Sequence, residues 1–160
     1  EVINVPTKVV KVDGYIPQEF ETDDLEKLEL YKRINNVVDE EMLLDLENYL
    51  KDLYGKIPPA VENLIKKRRL ELLLYQVFVN DFKETSDSYE IYLDESWQNL
   101  DDFGYKIFEL ISGFSYDIKL KVTLNKVIII IDKNDPNWLD FANKVLIELN
   151  NLYKNINKKS

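Results

Sequence analysis

Five consecutive β-branched residues, Val127-Ile128-Ile129-Ile130-Ile131, constrain this chain more than any other feature. With no polar residue alternating, the run suits a strand buried on both faces. It has about a quarter of the ~20 apolar residues that a membrane-crossing helix needs. At 160 residues and 45% apolar side chains, the chain can bury a sizeable core around such a strand.

The rest of the chain reads as helices before and strands around that run. Val2 to Val12, β-branched but interrupted by Pro6, predicts an edge strand with a break, and Asp13-Gly14 and Pro17 mark a turn. Asp23 with Glu26 predicts a capping box, followed by a helix with Leu25, Leu28, Tyr31 and Ile34 on its apolar face. A second helix from Asp39 or Glu40 carries Leu43, Leu46, Leu50 and Leu53, and Gly55 stops it. Pro58-Pro59 opens a third, with Val61, Leu64, Ile65 and Leu72 inward. The period then changes: Gln76–Phe82 and Ser88–Leu93 predict strands joined by a polar loop over 83–87. Asp94 caps a helix carrying Trp97, Leu100, Ile107 and Leu110 that ends at Gly113. Asp117–Val122 alternates, and Asn125-Lys126 turns it into the apolar run. Asp135-Pro136 starts a last helix with Trp138, Phe141, Val145, Leu149 and Leu152 on one face, and the chain should fray from Asn155. The order β-α-α-α-β-β-α-β-β-α predicts an α+β fold, a mixed or antiparallel sheet with helices packed on it. One domain over 1–155 and a tail over 156–160 are expected.

Composition removes most chemistries. The chain has no cysteine and no histidine, which excludes disulfides, thiolate catalysis, Ser-His-Asp systems and nearly every structural zinc site. Its 21 basic against 30 acidic residues give a net charge of −9, so phosphate and anionic lipid are repelled. Neither direct nucleic-acid binding nor membrane binding is expected. The opening Glu1-Val2-Ile3-Asn4 has neither the basic nor the apolar region of a signal peptide, and the single methionine is Met42. A piece of a larger cytoplasmic protein is the reading.

Three acidic pairs, Asp23-Asp24, Glu40-Glu41 and Asp101-Asp102, could in principle serve a carboxylate-based hydrolase. They fall at helix starts or on polar faces, where solvation keeps a carboxyl from acting as an acid at neutral pH. No EF-hand spacing and no Gly-Lys-Ser/Thr loop is present, so no metal, cofactor or nucleotide is expected. The one basic cluster, Lys66-Lys67-Arg68-Arg69, fans over roughly 300° of a helix and makes no single phosphate-tracking stripe. Glu62 and Glu71 are the acids expected to pair with it. Gly55 and the prolines fix the corner between the second and third helices, and Glu47 and Asp52 place acids near it, where a basic partner could dock.

Several of these segments together carry a resemblance. Asp13-Gly14-Tyr15-Ile16-Pro17 precedes Lys27-Leu28-Glu29-Leu30-Tyr31-Lys32-Arg33-Ile34; Leu50-Lys51-Asp52-Leu53-Tyr54-Gly55-Lys56-Ile57-Pro58-Pro59-Ala60-Val61-Glu62-Asn63-Leu64-Ile65 and Arg69-Leu70 follow. This resembles the C-terminal (TRCF) domain of bacterial transcription-repair coupling factor (Mfd), with its L-x-D-R-F-G-x-x-P-x-x-V-x-N-L-L signature. The likeness is sharp over about residues 10–75 and only pattern-level beyond.

The resemblance implies a parent that is an ATP-dependent DNA translocase, contacts RNA polymerase and DNA, and recruits the UvrA excinuclease subunit. It implies that this domain has no catalytic residue and regulates by autoinhibition. The domain would pack on an N-terminal UvrB-like module, mask the surface UvrA must reach, and restrain the motor. The family's masking contact uses acids at the end of the second helix against arginines. Asp52 matches the motif's Asp, while Tyr49 stands where the family has Glu, Leu53 where it has Arg, and Glu71 where relatives often have a second Arg. One acidic anchor is kept and one is lost, with Glu47 or Asn48 as substitutes. Asp52, Glu47 and Tyr49 are therefore the candidate partner-interface residues. Two alternatives stand beside this: a module that recruits a repair partner directly, and a carboxylate-based hydrolase.

Overall fold

A computed structural model of the chain describes Ile16 and residues 23–114, 118–123 and 126–157. The expected strand over 2–12, the turns at Asp13-Gly14, Pro17 and Asn125, and residues 158–160 lie outside the described residues. Two compact units divide the chain: Val9–Leu72, and Leu73–Ser160 with Glu1–Lys8. The boundary falls inside a helix rather than in a Gly- or Ser-rich linker, so no composition shift marks it.

The first unit holds three helices, α1 (Asp24–Asn35), α2 (Glu40–Tyr54) and most of α3 (Pro59–Leu74). The first two begin where an aspartate caps them, and α3 opens at Pro59. The Asp23 carboxylate accepts from the Leu25 and Glu26 amides at 2.8 and 3.3 Å, and Asp39 accepts from Met42 at 2.8 Å. Gly55 ends α2 at φ 81°, its N–H reaching Lys51 O at 2.8 Å. The core joins Leu30, Ile34, Val37, Leu43, Leu46, Leu50, Ile57, Val61 and Ile65.

Two inward assignments need correction. Leu25 and Leu28 are 74% and 49% exposed, and α1 buries Leu30 and Ile34 instead. Five apolar residues on α1 permit two stripes, and the core takes the one that continues into Val37. Leu53 is 56% exposed because Tyr54, four residues after Leu50, takes the inward place.

The second unit is a four-stranded antiparallel sheet with helices. Its elements are β1 (Val79–Glu84), β2 (Ser88–Leu93), a 3₁₀ turn (Glu95–Asn99), α4 (Phe103–Ser112), β3 (Ile118–Thr123), β4 (Lys126–Asp132) and α5 (Trp138–Asn157). The strand order is β1-β2-β4-β3, which gives the apolar run an interior position, and its consecutive buried residues Val127, Ile128 and Ile129 show both faces covered, as its composition predicts. Ile129 pairs with Ile91 on one side and Leu120 on the other; Val127, Ile128, Ile129 and Ile131 are buried. α4 packs with β3 and α5 with β4.

Several boundaries differ from expectation, among them the end of β1, which runs on to Glu84 into the expected loop, and the start of α5, at Trp138 rather than Asp135-Pro136. β1 starts at Val79 rather than Gln76, because Gln76 is spent in the turn that closes α3, its N–H bonded to Leu73 O. The single helix expected after Asp94 is two. Asp94 caps only the 3₁₀ turn, and Asp102, left-handed at φ 57°, restarts the chain as α4. Asp favours local turns over helix interiors, and Trp97 is fixed separately by its Nε1–H to Phe78 O at 3.0 Å. Finally, α5 runs on to Asn157, through residues assigned to the tail.

Candidate partner interface on the second helix

Burial of Leu43, Leu46 and Leu50 turns the opposite side of α2 to solvent, and that side carries Glu41, Asp45, Asn48 and Asp52. Asp45, Asn48, Tyr49, Asp52 and Leu53 line one open concavity of about 510 Å³. Asp52 is exposed in the last turn of α2, next to the negative end of the helix dipole, where a carboxylate is unfavourable. Lys51 and Lys56 are the local cations that could offset it, yet Asp52 forms no ion pair with either among the described residues.

Tyr49 is 41% exposed, and the Arg33 guanidinium lies 4.2 Å from its ring centroid. One face of the ring is thus covered from α1 by a cation–π contact. Glu47 is placed differently from the other two. It is half-buried and its carboxylate is bonded to Arg69, whose Nε also reaches Glu40 at 3.1 and 3.2 Å. Arg69 therefore ties two points of α2 to α3. Of the three candidates, Asp52 and Tyr49 come together and Glu47 does not join them.

Sequence reasoning missed Asp45. It precedes Tyr49 by one helical turn and Asp52 by two, so the spacing rule for one helix face could have found it. The partners of the basic cluster also differ in part. Arg68 pairs with Glu71 at 3.5 Å, as expected, and its Nε donates to Val37 O at 2.9 Å. Arg69 chooses Glu40 and Glu47 over Glu62, because α2 brings those acids to it.

All six residues of the acidic pairs, Asp23, Asp24, Glu40, Glu41, Asp101 and Asp102, are exposed, which leaves them without the desolvation a carboxyl acid would need. Among the described residues no group of three or more His, Cys, Asp or Glu side chains is placed to hold a metal. No helix among them is long and apolar enough to cross a membrane.

Three helices followed by a four-stranded antiparallel sheet with its own helices define an α+β fold. The same fold occurs in the crystal structure of the C-terminal domain of a transcription-repair coupling factor: the TM-score is 0.62 at 19% identity, covering 86% of each chain. The family model for the TRCF domain matches residues 10–102. The chain belongs to the TRCF domain family. It is 28% identical to the transcription-repair-coupling factor of Bacillus subtilis (strain 168) over 134 residues, 82% of this chain and 11% of that protein. With the transcription-repair-coupling factor of Rickettsia typhi it shares 25% identity over 142 residues, 89% of this chain and 12% of that protein. The chain thus spans only about a ninth of its relatives' length.

Proposed function

We propose that this domain is a non-catalytic, autoinhibitory module of a transcription-repair coupling factor. In this reading it packs on an N-terminal UvrB-like module of the same protein, masks the surface that UvrA must reach, and restrains an ATP-dependent DNA translocase. Release accompanies engagement of stalled RNA polymerase. Family membership supplies the context, and Asp52 is the observation that carries the latch. It is an exposed acid at the motif position, at a helix end that disfavours it, with no ion pair to a cation among the described residues.

Tyr49 has lost the family's second acid, and Glu47 is committed to Arg69. Asp45 is the remaining acid that lines the same concavity as Asp52, so the latch is assigned to Asp45 and Asp52 with Tyr49 between them. Such carboxylates suit arginines, whose planar fork gives bidentate orientation. Each exposed pair is worth under about 1 kcal/mol, and a desolvated one costs several when broken. A tether within one chain provides an effective concentration of roughly millimolar, so weak contacts can hold a clamp that must also open.

The test compares the full-length parent with a form lacking residues 1–160 and with an Asp52→Arg variant, each titrated with UvrA. Masking predicts that truncation tightens UvrA binding at least tenfold, about 1.4 kcal/mol, and that Asp52→Arg follows. Tightening by truncation alone keeps the mask and moves the latch. Unchanged or weaker binding after truncation discards autoinhibition in favour of direct recruitment.

A further inference from the structure

The outer edge of β3 has a chemistry that the masking role does not use. β3 is the last strand of the sheet, and among the described residues no strand pairs with its outer side. Every second residue of an antiparallel strand turns its N–H and C=O away from its partner, so among the described residues the outward ladder positions of β3 pair with no strand. Beside it lies an open groove of about 780 Å³, whose apolar lining includes Phe108, Ile111, Phe114, Leu120 and Val122. Phe108 and Val122 are 58% and 62% exposed, well beyond what packing of α4 on β3 requires.

The charge at this edge opposes that of the whole chain. Across the described residues from 103 to 127, the exposed charged side chains are Lys106, Lys119, Lys121 and Lys126 against one acid, Glu109. The net charge of the chain is −9. Lys119 and Lys121 alternate along β3 with Leu120 and Val122; Leu120 and Val122 line the groove, and Lys119 together with Ser112 supplies its polar lining. The strand thus presents apolar and cationic side chains in alternation, with a period of two residues.

We propose that the β3 edge is a docking site for an extended segment of a partner protein in which apolar and acidic residues alternate. The segment adds as a fifth strand. Its apolar side chains enter the groove against Phe108 and Val122, and its carboxylates meet Lys119 and Lys121. Main-chain hydrogen bonds give affinity, and the alternation gives register and specificity. The occupant is not a second copy of this chain, because a second β3 would bring its own lysines against these, and like charges across a strand pair are unfavourable. Lysine on an edge deters indiscriminate pairing and leaves an acidic strand as the acceptable guest.

A fluorescein-labelled hexapeptide, Glu-Val-Glu-Ile-Glu-Val, titrated by anisotropy into the 160-residue chain, tests this directly. A second peptide with Lys in place of each Glu is the control, and the net acidity of the chain favours that control. The acidic peptide is expected to bind at least tenfold more tightly. Lys119→Glu with Lys121→Glu should remove that preference, and Phe108→Ala should weaken binding severalfold. Exchange of β3 amides should slow with peptide bound, while that of the opposite edge strand, β1, should not. Equal binding of the two peptides, or no binding of the acidic one at millimolar concentration, overturns the proposal. So does a Phe108-dependent dimer in sedimentation velocity. If the double variant does not fold, the control peptide and Phe108→Ala still decide the question.

Discussion

Arg69 decides how the acids of α2 are divided between holding the fold and facing outward. It engages Glu47 and Glu40 at once, with its own side chain only 17% exposed. Arg69→Met should therefore cost about 1–3 kcal/mol, since Glu47 is left half-buried without its cation. Glu40→Gln, at a side chain 54% exposed, should cost under about 1 kcal/mol. Urea midpoints of the two variants check the contrast, and equal losses would mean that burial of the pair is not what matters. Tyr89 tests burial through pH. Burial first and the Glu84 carboxylate second raise its phenol above the ordinary 10.0. The folded chain then keeps a proton that the unfolded chain has released, so this contribution to stability is complete below about pH 10 and is lost as pH rises through the folded value. Between about pH 9 and about pH 11 the unmodified chain should lose more stability than Tyr89→Phe. A parallel decline in both would show that Tyr89 is not responsible.

Gly55 and Gly104 predict opposite outcomes for the same substitution. At Gly55 a Cβ meets nothing within 4 Å, but φ is +81°, so Gly55→Ala should cost about 1–2 kcal/mol through the backbone alone. Gly104 lies in the first turn of α4, also with open space around a new Cβ, and Gly104→Ala should stabilise by about 0.5 kcal/mol. Thermal midpoints moving in the same direction would contradict this. The Gly55 stop was legible in the sequence, as were the Asp23 and Asp39 starts, because each rests on bonds made within a few residues. The burial of both faces of β4 was legible for another reason: a run without alternation puts apolar side chains on both faces of the sheet. The helix break at Leu100–Asp102 was not, since Trp97 is anchored by Phe78, far back in the chain. The buried side of α1 depended on Val37 and α3, and the removal of Glu47 from the site depended on Arg69, 22 residues away. The exposure of Asp52 was readable, because the helix period alone fixes it. Asp45 was readable by the same rule.

At the scale of the whole chain, the two units set what one core substitution can reach. Ile65 is 3% exposed in the Val9–Leu72 unit, and Ile129 is fully buried in the sheet-bearing unit. Ile65→Val and Ile129→Val should each cost about 0.5–1.5 kcal/mol, mild enough to leave a double variant folded. Substitutions in units that unfold independently add, so independent units predict that the double variant equals the sum of the two within about 0.5 kcal/mol. Amide exchange adds a spatial readout. If the Val9–Leu72 unit opens on its own, Ile65→Val should speed exchange in α1 and α2 and leave β2 and β4 unchanged, with the converse for Ile129→Val. A coupling above about 1 kcal/mol, or exchange that rises everywhere with either variant, would mean that the chain opens only as a single unit. The distinction bears on regulation. A module that masks a partner with the face of α2 can be released by loosening three helices if its units open separately, whereas a single cooperative unit must let go as a whole.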